Sequence, residues 1–157
     1  MRNHDLRSRA TIGGLLTIRK YRAGELIWQS EPIHNKVVSG SGGYGRNIIA
    51  RQLAGDTTYA MEIDSAAVGD GATAPADGDT GLGNALLSSI PLTNITVANN
   101  VIQVDVFVAD GTLPNDTYAE FGLFCNGRLF SRILISPAYT KATGEDTLFT
   151  YELTITG

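Results

Sequence analysis

The sequence predicts a mainly β fold: an antiparallel β-sandwich, with a jelly-roll arrangement as one form of it, one short α-helix near residues 45–54 and an extended N-terminal arm. Three observations carry this. Seven or eight short stretches alternate apolar and polar side chains, turn residues stand at several of their junctions, and a single stretch shows helical spacing. A closed barrel is the alternative architecture.

Residues 1–14 read as a polar arm. They hold Arg2, Asp5, Arg7 and Arg9, show no sustained periodicity, and end at Gly13-Gly14. A segment of this composition buries too little apolar surface to order by itself. Residues 15–157 then read as one domain, in keeping with typical domain sizes. Leu15 to Trp28 predicts two strands joined by a turn near Gly24, and Ser39-Gly40-Ser41-Gly42-Gly43 reads as a joint. Over Gly45–Gly55, Ile49 and Leu53 lie four apart, Ile48 widens the stripe, and Gly55 stands where a C-terminal cap is expected. So short a helix must lean on a sheet.

A strand is expected over Tyr59–Val68, followed by a long Gly/Ala/Asp/Pro loop over residues 69–84. Leu86–Val97 and Val101–Val108 flank Ala98-Asn99-Asn100 as a hairpin, because asparagine tolerates positive φ. Ile102, Val104, Val106 and Val108 form an apolar row opposite Gln103 and Asp105. Tyr118–Phe124 and Leu129–Ile135 meet at Asn126-Gly127, and in Leu148–Ile155 the apolar set is Phe149, Tyr151, Leu153 and Ile155.

Charge is divided along the chain. Residues 1–51 hold nine Lys/Arg against three acids, a surplus of six positive charges, whereas residues 52–157 hold three against thirteen, a surplus of ten negative ones. The division predicts either a basic segment that meets an acidic surface, or solvated charges with no common target. No run reaches the roughly 18–20 apolar residues that cross a bilayer, and the N-terminus lacks the apolar stretch of a secretory signal. Cys125 is the only cysteine, which fits a reducing compartment and a small buried hydrophobe.

The residue inventory offers little for catalysis, and no catalytic, cofactor-binding or metal-ligating residue is assigned. His4 and His34 are the only histidines, and Gly40–Arg46 lacks the Lys-Ser/Thr ending of a phosphate loop. Asp70, Asp77 and Asp79 lack the spacing of a calcium loop and read as a solvated turn. Glu120 precedes the apolar run Phe121-Gly122-Leu123-Phe124, so it is expected to be partly buried and paired, with Arg128 and Arg132 on the next strand as candidate partners in a structural ion pair.

Three segments in order carry a resemblance: Gly45–Gly55; Ala67-Val68-Gly69-Asp70-Gly71-Ala72-Thr73-Ala74-Pro75 continuing to Asp79-Thr80-Gly81-Leu82; and Glu120–Phe124, then Gly127–Arg132, Ser136-Pro137 and Thr140-Lys141. Together they resemble small tailed-bacteriophage virion proteins of the tail-fibre or tail-collar-fibre-like family. The resemblance implies a virion structural protein without catalysis or cofactor, homo-oligomeric and partnered by other virion proteins. The chain departs from a full tail fibre in having no collagen-like or coiled-coil shaft. The implied roles are a tail-associated adaptor or fibre component, with a head decoration protein as the alternative. Arg2, Arg7 and Arg9 are the candidate assembly arm, expected to reach an acidic region of a neighbouring subunit. A second expectation is a host-surface glycan-binding module, in which Tyr44, Tyr59, Tyr118 and Tyr139 stack on sugar rings; packing is the competing role for these tyrosines. Nucleic acid is disfavoured as a partner because the acidic body repels a duplex.

Overall fold

The computed structural model describes residues 9–157. Strands β1 (Thr11–Arg22) and β2 (Glu25–Gln29) form the first hairpin, turning at Ala23 and Gly24 with φ of 50° and 80°. Positive φ at both central residues gives a turn whose twist matches the flanking strands. β1 begins three residues before the expected end of the arm. Gly13 and Gly14 pair with Thr154 and Leu153 of β11 (Glu145–Thr156). A Cβ on Gly14 would stand 2.7 Å from the Tyr151 hydroxyl oxygen, so the glycine gives clearance to a buried tyrosine and does not stop the chain. Arg9 is exposed just ahead of β1; Arg2, Arg7 and the rest of the expected arm through residue 8 lie outside the described residues.

β3 (Ile33–His34) pairs with β1, and β4 (Lys36–Val37) with β10 (Arg128–Thr140), so the chain changes layers at Asn35. Asn35 Oδ1 accepts from the Gly14 N–H at 2.7 Å, and its amide nitrogen bonds the Tyr151 hydroxyl. Helix α1 (Arg46–Leu53) follows. Gly55, at φ 79°, ends it as expected: the Gly55 and Asp56 N–H groups return to the carbonyls of Gln52 and Arg51, a Schellman closure. The helix face differs from the expected stripe. Ile48 is buried, Ile49 is half-buried, and Leu53 is 84% exposed. Only the first turn of so short a helix reaches the sheet. Leu53→Glu is therefore expected to change stability by less than about 0.5 kcal/mol, measurable by urea denaturation; a loss above about 2 kcal/mol would contradict this placement.

Only the end of the expected Tyr59–Val68 strand is β structure: β5 spans Ser65–Gly69. Tyr59 lies outside it because its carbonyl is bonded by the Gln52 amide (2.7 Å) and its ring by arginines. The expected Leu86–Val97 strand divides at residues 92–93 into β6 (Ala85–Pro91) and β7 (Asn94–Ala98), which belong to different sheets. β7 and β8 (Val101–Val108) form the expected hairpin, with Asn99 at φ 54°. β9 (Thr117–Cys125) and β10 turn at Asn126-Gly127, φ 46° and 78°.

The two antiparallel sheets run β2-β1-β11-β8-β7, with β3 also on β1, and β4-β10-β9-β5-β6. Leu16 and Ile18 of β1, Val104 and Val106 of β8 and Phe149 and Tyr151 of β11 face Phe121, Leu123 and Ile133 of the second sheet. Phe121 and Phe149 stack across the layers at 5.0 Å between ring centroids. This is the β-sandwich that the alternating stretches predict.

Candidate functional site

Glu120 and Arg132 sit on the outer face of the second sheet, since Phe121 between them in register points into the core. Loop 70–84 crosses that face and buries both, to 0% and 3% exposure. Glu120 Oε1 accepts from the N–H groups of Asn84 (2.7 Å) and Gly71 (3.1 Å); Oε2 accepts from the Gly83 N–H (2.8 Å) and Arg132 Nε (2.9 Å). Arg132 also donates to Asp79 Oδ2 at 2.9 Å and to the Thr73 carbonyl at 3.1 Å. The glycines of Val68-Gly69-Asp70-Gly71 are required by this approach: a Cβ on Gly69 would meet the Asn84 carbonyl oxygen at 2.1 Å, and one on Gly71 the Glu120 carboxylate at 2.5 Å. A buried carboxylate is stable here because cation and backbone donors saturate it.

The ion pair expected of Glu120 thus forms with Arg132. It does not form with Arg128, whose guanidinium lies 4.1 Å from the centroid of Tyr59 and 5.5 Å from that of Tyr44. Arg51 lies over Tyr59 as well, at 5.3 Å. Arg128 starts β10, beyond the reach of Glu120, which sits opposite Leu134. The loop acids are not a merely solvated turn either. Asp79 holds Arg132, Asp77 holds Lys36 (3.4 Å) and Arg46 (3.0 Å), and Asp70 accepts from the Asn84 side chain at 2.6 Å.

A third cluster joins the sheets. Lys20 Nζ stands 3.0 Å from Glu145 Oε2, donates to the Thr140 carbonyl at 2.7 Å, and lies over the Tyr139 ring at 5.1 Å. Arg22 completes the Glu145 pair at 2.9 Å. Part of the charge division seen in the sequence is therefore resolved within one chain: Lys20, Arg22, Lys36 and Arg46 meet Glu145 and Asp77. Tyr118 and Tyr139 are buried core residues, and Tyr44 and Tyr59 stack on arginines, so all four have packing roles. An aromatic that the sequence reading passed over is exposed instead. Trp28 borders an open groove of about 450 Å³ with Pro32, His34, Ile135 and Pro137.

These clusters shape the acid response. Burial pushes the Asp79 carboxyl up, but the Ala76 N–H and Arg132 outweigh it and hold the group below its ordinary value. Glu145 behaves likewise: burial raises it, and the Ala142 N–H, Lys20 and Arg22 more than reverse the effect. Carboxyls depressed in the folded state contribute stability that is complete above their unfolded pKa and is lost as pH falls through the folded one. Tm is expected to stay level from neutral pH to about pH 5 and to fall below about pH 4. A Tm that already declines between pH 7 and pH 5 would contradict this.

Among the described residues no group of three His, Cys, Asp or Glu side chains is placed to hold a metal ion, and no buried side-chain polar atom lacks a partner. Burial raises the Cys125 thiol to about 12, with Asp64 and Glu62 adding to the effect. No helix among the described residues is long and apolar enough to cross a membrane. Apolar side chains stay open to solvent at both edges of the first sheet: Leu26, Ile27 and Trp28 of β2 are 51%, 43% and 41% exposed, and Ile95 and Val97 of β7 45% and 70%. Comparison with family models, with curated proteins and with solved structures finds no match.

Proposed function

We propose that the chain is a non-enzymatic assembly module of a tailed-bacteriophage virion, a tail-associated adaptor or fibre component that works by contact with copies of itself and with other virion proteins. One observation supports contact over turnover. The polar clusters are closed on themselves and fasten loops to the sandwich, while apolar side chains at both edges of the first sheet stay open to solvent. Exposed apolar area of this kind marks association surfaces. The placement in a virion rests on the resemblance of the three sequence segments; the head-decoration role is its alternative.

The arm part of this reading is narrower than residues 1–14. Removing residues 11–14 would strip Leu153, Thr154, Ile155 and Thr156 of β11 of their β1 partners, whereas removing residues 1–8 leaves every described strand whole. The test is mass spectrometry of purified particles carrying wild type or the chain lacking residues 1–8. Stoichiometric incorporation of the wild type is expected, with weaker incorporation of the truncated form. Absence of the wild type from particles would overturn the virion role, and equal incorporation would remove the arm from it.

A second reading, binding of a host-surface glycan, has one observation in its favour, the exposed Trp28 beside its groove. A glycan array without a hit at millimolar affinity would remove it.

A further inference from the structure

We infer that β7 is an assembly edge, and that it pairs antiparallel with β7 of a second copy about a twofold axis through Thr96. This rests on the self-assembly reading above and names the surface and register that carry it.

The other free edges of the described sheets are blunted. β2 carries Glu25 and breaks register with β1 between Lys20 and Tyr21. β3 and β4 are two residues long. β6 shifts register twice against β5 and ends at Pro91. Bulges, charges, prolines and shortness are the devices that keep sheet edges from pairing. β7 has none of them. Its five residues, Asn94-Ile95-Thr96-Val97-Ala98, hold unbroken register with β8, contain no charge and no proline, and are all exposed. Such a strand presents unpaired backbone donors and acceptors to any added strand.

The sequence of β7 selects a second copy as the occupant. Antiparallel pairing about Thr96 sets Ile95 against Val97 of the copy twice, sets Asn94 against Ala98 twice, and sets Thr96 against itself. Opposed residues share a face. Ile95 and Val97 pair in this subunit with Val104 and Ile102, which places them on the core side of the sheet, beyond the cover of the second sheet. The twofold register therefore joins two apolar rims on one face. No like charges meet: Asp105, opposite Asn94, sits on β8, and its mate would lie three strands across and four residues along, roughly 19 Å away, beyond the screening length of about 8 Å at physiological salt.

The test is a cysteine at the axis. Under diamide, which takes up the two electrons and two protons of the thiol pair, Thr96→Cys is expected to give a covalent dimer on non-reducing gels. Asn94→Cys, which faces Ala98 of the copy, is expected to give none. Native Cys125 is fully buried and contributes no background. Val97→Lys, at a surface position, is expected to keep the wild-type circular dichroism and to raise the dimer dissociation constant at least tenfold in sedimentation equilibrium. Wild type that associates while Thr96→Cys stays uncrosslinked, or while Val97→Lys associates unchanged, overturns the β7 inference and spares the assembly reading. Wild type that remains monomeric at every concentration overturns both.

Discussion

Replacing Glu120 with alanine is expected to destabilise the protein by about 3–5 kcal/mol, the cost of breaking a buried pair and leaving Arg132 with Asp79 as its remaining carboxylate. Arg132 is 3% exposed, so water does not replace the lost carboxylate, and the N–H groups of Gly71, Gly83 and Asn84 lose their acceptor together. The damage should centre on loop 70–84. Urea denaturation should give the loss, and hydrogen exchange should show the amides of Gly71, Gly83 and Asn84 losing protection before those of β11. Adding Arg132→Met to Glu120→Ala should cost less than the sum of the two single changes, because each single change already breaks the same Glu120–Arg132 pair. A loss below about 1 kcal/mol for Glu120→Ala would show that the pair is no staple.

Gly45→Ala is expected to be comparably severe for a different reason. Gly45 precedes α1 at φ 50° and ψ −122°, a conformation that L side chains scarcely enter. A Cβ there would lie 1.9 Å from the Val38 carbonyl oxygen, and that oxygen is fixed by the Arg46 N–H at 2.8 Å. Backbone strain and overpacking of about 1–3 kcal/mol each give an expected loss of about 2–6 kcal/mol. Gly127→Ala is the control: its φ is also positive, at 78°, but nothing lies within 4 Å of the added Cβ, so only the strain remains. Equal losses at the two positions would show that the Val38 contact yields at little cost.

The parts of the fold legible in advance were those specified over a few residues. Gly24, Asn99 and Asn126-Gly127 tolerate positive φ, so the three hairpin turns were legible from local chemistry; that Ala23 also takes φ 50° was not. The row Val104, Val106 and Val108 was legible because side chains alternate strictly across a strand. Glu120 was recognisable as partly buried because it precedes an apolar run, and a carboxylate so placed needs a cation or backbone donors. Its partner was less legible: Arg128 and Arg132 both stood on the next strand, and only the register decided between them.

The amino-acid sequence by itself determined that alternating stretches would form a mainly β, antiparallel fold, that Gly55 would end the one helix, and that Glu120 would need a cation or backbone donors. Tertiary structure alone decided that Asp79 and Thr73, 53 and 59 residues from Arg132, complete its coordination, that Gly14 belongs to a strand and clears Tyr151, that Leu53 faces solvent, and that β7 stands as an open edge. The physical reason is range. A turn or an alternation is an energy of adjacent residues, whereas burial, pairing and exposure depend on which distant segments the packed layers bring to the same place.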